Sequence, residues 1–306
     1  MPKPPLIVIC GPTSSGKSSL AMKLAPLFRG EIIIADSRQV YRGLDIGTSK
    51  PTPEEQEQVP HHLVDIKNPD EVFSVGEYKK LATQAIKDIH GRDKLPFLVG
   101  GTGLYIDAVA GGLDIPPVPP DKKLRTKLEK LDTKELFNQL EELDPQFAQE
   151  VDEQNKRRLV RALEVIKKTG QKFSDQRKRK PVPYQVLYLA IAWPREKLYQ
   201  RIDTTVDQMI DEGLIDEIKQ LLARGISYER LQDLGLEYRY ISQAVTGQLP
   251  QDEAFQQLKY KSHQFAKRQL SWFRQNKKIH WLACASKLKP VVSKSDAEEL
   301  ISKISP

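Results

Sequence analysis

The fold is decided by one stretch near the N-terminus, Leu6-Ile-Val-Ile-Cys-Gly-Pro-Thr-Ser-Ser-Gly-Lys-Ser18. Its apolar half predicts a buried strand, and its second half has the spacing G-x-x-x-x-G-K-S/T of a phosphate-binding loop that opens a helix. In such a loop the glycines let consecutive N–H groups point inward around an anion, Lys17 adds a point charge, and the Ser18 hydroxyl suits Mg²⁺. The sequence therefore predicts a cradle for a phosphate or diphosphate. Its predicted members are Gly11, Pro12, Thr13, Ser14, Ser15, Gly16, Lys17 and Ser18.

Around this loop, short apolar strands alternate with helical patterns, which indicates a parallel sheet covered on both faces. Further strands are predicted at residues 31–35, 96–99, 186–192 and 279–283. A long amphipathic helix is predicted to run from Ile202 to Leu222 and to be closed by Gly225, and another covers about residues 251–275. We expect an α/β fold whose core resembles that of the P-loop NTPases.

Prolines bracket a long helical detour between two of these strands. They stand at positions 116, 117, 119 and 120 on one side and at 181 and 183 on the other. Because proline clusters end helices and stiffen linkers, they favour a domain boundary on each side. We predict an inserted all-helical subdomain over residues 117–183, and an α/β core formed by residues 1–116 and 184–306.

Composition narrows the class of protein. Of the 306 residues, 39% are hydrophobic and 29% charged, which excludes collagen, coiled coil and low-complexity disorder. The apolar runs are too short to span a bilayer, and no targeting segment precedes the first strand. The two cysteines, Cys10 and Cys284, give no disulfide framework or zinc site, so we expect a cytoplasmic protein.

The positive charge of the chain is local. Residues 155–180 contain eleven basic and two acidic residues, a charge of +9, whereas the whole chain carries +7, so the remainder is 7 − 9 = −2. A positive field confined to one segment predicts a docking place for a polyanion.

Asp36 ends the second predicted strand, at the edge of the sheet where open α/β folds gather their ligands. Its carboxylate suits a Mg²⁺ ligand in an NTPase, or a general base for a nucleophile in front of a bound diphosphate. A third interpretation, in which Asp36 caps the following turn, stays open on spacing alone.

Further motifs extend over nearly the whole chain. They are Asp36-Ser-Arg-Gln-Val-Tyr41, Asp45-Ile-Gly-Thr-Ser-Lys-Pro51, His61-His-Leu-Val-Asp65, Gly100-Gly-Thr-Gly-Leu-Tyr105, Arg158-Leu-Val-Arg-Ala-Leu-Glu164, Arg201-Ile-Asp203 and Ala266-Lys-Arg-Gln-Leu-Ser-Trp-Phe-Arg274. With the phosphate loop, and in this order, they make the chain similar to the bacterial tRNA dimethylallyltransferases, also called tRNA isopentenyltransferases.

The resemblance implies transfer of a dimethylallyl group from dimethylallyl diphosphate to N6 of the adenine immediately 3′ of the anticodon, with release of diphosphate. It implies that Asp36 accepts the proton of the attacking amine and that Thr13 lies at the bridging oxygen. Lys17, with Mg²⁺ near Ser18, would neutralise the diphosphate. The expected partners are the anticodon stem-loop of tRNA and dimethylallyl diphosphate, with no membrane, and the protein is expected to be a monomer.

The adenine must flip out of the anticodon loop to reach such a site, and the basic segment of the insertion would grip the RNA backbone. By the resemblance, the residues that contact tRNA are Asp36, Ser37, Arg38, Gln39, Thr102, Arg125, Arg157, Arg158, Arg161 and Arg239. The sequence departs from the family pattern at two positions. Glu237 stands where a glycine often precedes the tyrosine, and Thr205 stands where a second arginine is often found.

Two other enzymatic functions stay open on the residues alone. A small-molecule kinase would use the same loop for ATP, and an isopentenyltransferase acting on free adenine nucleotides would share the loop and Asp36. The broad basic segment favours RNA. A protein that only binds RNA would leave the phosphate loop, Lys17 and Asp36 without a purpose.

Overall fold

The computed structural model describes residues 3–116, 118–176, 179–283 and 299–303. Pro117 and Cys284, which are named above, lie outside these ranges, as do residues 177 and 178 of the basic segment. The chain divides into two compact units, one formed by Met1–Ala110 with Pro183–Pro306 and the other by Gly111–Val182. In the described ranges, no helix combines the length and the apolar character that a bilayer span requires.

The first unit contains a six-stranded parallel sheet. Its strands are β1 Pro5–Cys10, β2 Gly30–Ile34, β3 His61–His62, β4 Leu95–Gly100, β5 Gln185–Ala192 and β6 Ile279–Ala283. They lie in the order β3-β2-β4-β1-β5-β6, and every pair is parallel. The prediction of an α/β fold with a parallel sheet is therefore confirmed, and the loops that follow β1, β2 and β4 share the carboxyl edge of the sheet.

Fourteen α-helices are described. Their bounds are α1 Lys17–Leu24, α2 Pro53–Gln58, α3 Val75–His90, α4 Gly103–Val109, α5 Lys122–Glu129, α6 Thr133–Leu143, α7 Pro145–Ala148, α8 Lys156–Thr169, α9 Phe173–Gln176, α10 Arg195–Asp211, α11 Leu214–Ala223, α12 Tyr228–Leu231, α13 Leu236–Val245 and α14 Gln251–Arg274. Short 3₁₀ turns cover Ala25–Phe28 and Ile46–Thr48.

The two faces of the sheet are covered by different helices. Leu6 and Val8 of β1 pack with residues of α3 and α4, whereas Ile7 and Ile9 pack with residues of α1. These side chains are fully buried, which for a branched aliphatic residue stabilises the fold by about 2 kcal/mol each. The continuous apolar run that opened the sequence is thus explained by burial on both faces.

A third apolar cluster joins helices α10, α11, α13 and α14 to the loop after β2, which contributes Val40, Tyr41 and Leu44. The prediction of one long helix from Ile202 to Leu222 is wrong. Gly213 takes a positive φ of 105°, which ends α10 and lets α11 start in a new direction.

The second unit contains α5 to α9 around its own apolar core, whose central members are Leu136, Phe147, Leu159 and Leu163. Helix α8 begins after Asn155, whose side chain accepts the N–H of Arg158, and ends at Gly170 with a positive φ of 68°.

Candidate active site at the carboxyl edge of the sheet

The loop between β1 and α1 has the backbone of an anion cradle. Gly11 and Gly16 adopt φ values of 139° and 92°, and Ser14 also has a positive φ of 56°. No side chain caps the first turn of α1, so its N–H groups remain available to a ligand. Lys17 donates a hydrogen bond from Nζ to the carbonyl of Pro12 at 2.6 Å, which holds its ammonium over the loop.

Two backbone carbonyl groups of the loop accept hydrogen bonds from side chains outside it. Arg201 of α10 donates from Nε to the Ser14 carbonyl at 2.8 Å, and Trp193 donates from Nε1 to the Ser15 carbonyl at 2.9 Å. The Arg201 guanidinium lies 4.7 Å from the centre of the Trp193 ring, a cation–π contact. These bonds fix two carbonyl groups of the loop and place a second positive charge beside it.

A bound anion would stabilise the charged form of the Lys17 side chain. Burial lowers the pKa of Lys17 to about 8, and Asp36 acts in the opposite direction. A phosphate group placed in the loop would favour the charged ammonium further. The Ser15 hydroxyl, which is fully buried, has no hydrogen-bond partner among the described residues.

Asp36 follows β2 after one residue, Ala35, and its two oxygens have different partners. Oδ1 accepts the N–H groups of Arg38 at 2.8 Å and Gln39 at 3.4 Å, so the carboxylate does cap the turn that follows the strand. Within the described part of the chain, Oδ2 accepts no hydrogen bond. The charge of Asp36 acts on that of Lys17 across the edge of the sheet, so the carboxylate and the cradle belong to one site.

The loop after β2 is held together by side chains that belong to the sequence motifs. The motifs alone do not indicate this structural role. Gln39, predicted to contact RNA, is 9% exposed and donates its amide to the carbonyls of Thr48 at 2.9 Å and Ser49 at 3.0 Å. The structure thus gives the Gln39 amide a part in building the loop. Lys50 pairs with Asp45 and with Asp65 at 2.6 Å.

Glu217 of α11 also binds this loop. The sequence motifs do not identify it. Its carboxylate accepts the N–H groups of Asp45, Ile46 and Gly47 and the hydroxyl of Tyr238, at 2.7 to 3.2 Å. No local pattern points to it, because Glu217 lies about 170 positions along the chain from the loop it binds.

Thr102 and Gln269 connect the loops that follow β4, β2 and β1. Thr102 Oγ1 accepts the N–H of Ser37 at 3.1 Å. Gln269 of α14 accepts the N–H of Thr13 at 2.9 Å and donates to the Gly101 carbonyl at 2.9 Å. The sequence contained Gln269 in a motif, but only the structure shows that it joins two loops.

Glu237, one of the two departures from the family pattern, lies at this edge. It stands at the start of α13, and its Oε2 is close to Gly235, where a Cβ atom would be 3.1 Å away. Burial raises the pKa of Glu237 to about 7; its own backbone N–H and Arg38 oppose the increase, and Asp36 adds to it. Arg239, predicted to contact RNA, donates from Nε to the Gln232 carbonyl at 2.9 Å.

The predicted RNA contacts of the second unit fall into two groups. Arg125 binds the buried Glu164 through Nε at 2.8 Å and through a terminal nitrogen at 2.9 Å, and Arg161 binds it at 2.6 Å. These two arginines therefore satisfy an internal carboxylate. Arg157 is exposed, and the Arg158 guanidinium lies 5.3 Å from the centre of the Phe147 ring.

A glycine-rich loop at the carboxyl end of a central parallel strand, with an acidic residue after β2, which β4 separates from that strand, defines a P-loop NTPase-like α/β protein. The family model described as IPP transferase matches residues 39–276. The chain therefore belongs to the IPP transferase family and is a prenyltransferase.

Relatives and solved structures cover most of the chain. A tRNA dimethylallyltransferase of Roseiflexus sp. (strain RS-1) is 48% identical over 274 residues, which are 88% of this chain and 90% of that protein. The crystal structure of a tRNA isopentenylpyrophosphate transferase from Bacillus halodurans is 39% identical, with a TM-score of 0.74, and covers 99% and 97% of the two chains. A eukaryotic dimethylallyltransferase acting on tRNA is 29% identical, with a TM-score of 0.81, over 98% of this chain and 80% of that one.

Proposed function

We propose that the protein transfers a dimethylallyl group from dimethylallyl diphosphate to N6 of the adenine next to the 3′ side of the tRNA anticodon. The observation that carries this proposal is Asp36, which holds its turn with one oxygen, leaves the other without a hydrogen bond from the described residues, and interacts through its charge with Lys17 of the anion cradle. The names of the relatives, tRNA dimethylallyltransferases, support the same reaction.

The reaction needs two substrates held in line. The N6 lone pair forms a bond to the allylic carbon, the bond from that carbon to the diphosphate oxygen breaks with its electron pair, and the N6 proton passes to Asp36 Oδ2. Negative charge grows on the leaving diphosphate, where loop N–H groups and Lys17 stabilise it, with the Thr13 hydroxyl at the bridging oxygen. Because the Thr13 N–H is bound to Gln269, we assign the contact to its side chain.

The Ser18 hydroxyl, near the start of α1, is an oxygen donor that suits Mg²⁺. In the described residues no group of three or more histidine, cysteine or acidic side chains could hold a metal ion alone. Mg²⁺ is commonly bound by one or two protein oxygens together with substrate phosphates and water. We infer that Ser18 holds the ion, which supplies positive charge to the diphosphate.

The acceptor is proposed to be an anticodon stem-loop. Asp36, Ser37, Arg38 and Thr102 stand at the edge of the sheet and would meet the flipped adenine, while exposed Arg157 on α8 would meet phosphates. Flipping is least costly in a single-stranded loop, which favours this part of a tRNA over a duplex.

The direct test supplies dimethylallyl diphosphate, Mg²⁺ and a synthetic anticodon stem-loop, and weighs the RNA. A gain of one five-carbon unit on the adenine supports the proposal. Parallel reactions offer adenosine monophosphate as acceptor and ATP as phosphoryl donor. Transfer to the free nucleotide alone, or transfer of phosphate, would contradict it.

Asp36→Asn separates chemistry from folding. The asparagine oxygen can still accept the N–H groups of Arg38 and Gln39, so the turn should persist, but no base remains for the N6 proton. We expect the single-turnover rate to fall by about 100-fold or more while RNA affinity stays within a few-fold of wild type. Loss of RNA binding with a normal rate on bound RNA would argue against the assigned role.

A further inference from the structure

Gln269 is the only described residue whose side chain hydrogen-bonds to both the phosphate loop and the loop after β4. It lies on α14, is 8% exposed, and makes both bonds at 2.9 Å, accepting from Thr13 and donating to the Gly101 carbonyl. A reversed amide would set N–H against N–H and C=O against C=O, so the two partners fix its orientation.

The Gly101 end of this bridge continues to Asp36. Thr102, the next residue, donates its N–H to the Ala35 carbonyl at 3.1 Å and accepts the N–H of Ser37 on its hydroxyl at 3.1 Å. Asp36 lies between these two partners. The path from the cradle to the proposed base is therefore a series of hydrogen bonds through Gln269 and Thr102.

The packing leaves this path little freedom. A Cβ atom at Gly100 would lie 2.1 Å from the Ala35 carbonyl oxygen, and one at Gly101 would lie 2.5 Å from Gln269 Nε2. Helix α14 itself is held at Gly103, where a Cβ atom would lie 2.5 Å from the Trp272 ring. Close packing therefore leaves the segment from Gly100 to Gly103 little room to shift relative to Ala35 and helix α14.

We infer that Gln269 is a positioning residue that couples the two substrates: diphosphate in the phosphate loop stabilises the arrangement of Thr102, Ser37 and Asp36 that receives the acceptor base. By linkage, the acceptor must then favour diphosphate binding by the same factor. The inference rests on the proposed function, because it assigns the phosphate loop to the donor and Asp36 to the acceptor.

The experiment measures the dissociation constant of a fluorescent anticodon stem-loop with and without saturating inorganic diphosphate and Mg²⁺. The ratio of the two constants is the coupling factor. We expect at least about fivefold tighter RNA binding with diphosphate in the wild-type protein, within the usual range of such coupling. In Gln269→Met, which fills the space without either hydrogen bond, the ratio should approach one.

Gln256→Met is the matched control, because Gln256 is exposed on the same helix, and it should keep the wild-type ratio. Gln269→Glu adds a second readout. Its protonated carboxyl can still accept from Thr13 and donate to Gly101, so coupling should be present at low pH and lost as the carboxyl ionises. If Gln269→Met does not fold, Gln269→Glu and the pair Thr102→Val and Thr102→Ser decide: valine should lose the coupling and serine keep it.

The possible results are distinct. If Gln269→Met weakens RNA binding equally with and without diphosphate, Gln269 is only structural and the inference is wrong. A wild-type protein that transfers dimethylallyl but shows no coupling also overturns it while leaving the proposed function intact. A wild-type protein that transfers nothing to the stem-loop contradicts the proposed function itself.

Discussion

The two oxygens of Asp36 have different surroundings, so two of the interpretations that spacing left open are compatible. One oxygen caps the turn after β2, as acidic residues commonly do. The other accepts no hydrogen bond from the described residues, and the charge of the carboxylate acts on that of Lys17. Capping and base chemistry are therefore compatible in one side chain, because holding the turn also fixes the direction of the second oxygen.

Glu237 is the residue whose titration should be visible in stability. Its folded pKa of about 7 exceeds the ordinary 4.5, mainly because of burial, so the folded protein binds a proton that the unfolded chain has released between these values. Stability should fall as pH rises through this window. Glu237→Gln should lack the fall and be more stable than wild type at pH 8 by about 2 kcal/mol, with little difference near pH 4.

Urea denaturation at both pH values measures this difference. The exposed Glu229→Gln serves as control and should follow the wild-type curve. A Glu237→Gln curve parallel to wild type from pH 4 to 8 would mean that the carboxyl ionises normally in the fold.

At the scale of single residues, the sequence indicates the candidate cradle and carboxylate better than it indicates the residues that hold them in place. Lys17 and Asp36 follow from motifs whose members are neighbours in the chain. Gln269 and Glu217 do not, because Gln269 binds Thr13 across 256 positions and Glu217 binds Ile46 across 171. An isolated glutamine or glutamate on a helix carries no pattern that predicts a distant partner.

Among the elements, helix α11 supports the loop from Asp36 to Lys50 through Glu217. Glu217→Gln leaves one acceptor where a carboxylate served three backbone N–H groups and the Tyr238 hydroxyl. Because buried donors lose charge-assisted bonds, we expect about 2 kcal/mol of lost stability. The KM for the RNA acceptor should rise more than that for dimethylallyl diphosphate.

Steady-state kinetics with each substrate varied in turn, together with a urea titration, tests this split. Glu229→Gln again provides a control with the same loss of charge. Equal increases in both KM values would show that Glu217 supports the whole unit rather than the loop after β2.

Helices α5 and α8 show that arginines predicted to contact RNA also have a partner within the second unit. Glu164, which is fully buried, takes hydrogen bonds from both Arg125 and Arg161. The sequence does not indicate which cations pair with Glu164. Strands were easier to predict, because their apolar runs report burial directly, whereas the two-residue β3 was too short to leave a pattern.

Glu164→Gln should therefore destabilise the second unit. The substitution removes the charge that compensates two arginines in a partly buried network, and breaking such a network costs about 3 kcal/mol. Hydrogen exchange should show faster exchange across α5 to α8 and unchanged exchange in β1 and β4. Glu141→Gln, exposed on α6, is the control. Unchanged protection in α8 would contradict this interpretation.

For the molecule as a whole, the sequence shows where the positive charge is concentrated. The structure shows which of these basic side chains already have partners within the protein. The second unit contains the described part of the basic segment, but Arg161 is committed to Glu164 and Lys168 pairs with Asp121 at 3.2 Å. Arg157 is exposed and Arg158 lies against Phe147. The field available to RNA is thus smaller than the sum of charges in the segment.

Arg157→Gln with Arg158→Gln should weaken binding of the stem-loop and flatten its salt dependence. Each phosphate contact contributes about 0.7 to 0.9 to the slope of log K against log salt, so losing two should reduce the slope by between about 1 and 2. Fluorescence titrations between roughly 50 and 200 mM salt measure this slope. The control is Lys80→Gln with Lys87→Gln on α3, which removes the same charge from an exposed face of the first unit.

If both pairs reduce the slope equally, net charge attracts the RNA and α8 has no special part in binding it. If only the arginine pair does, and the single-turnover rate on bound RNA is unchanged, the second unit grips the RNA while the sheet edge performs the chemistry.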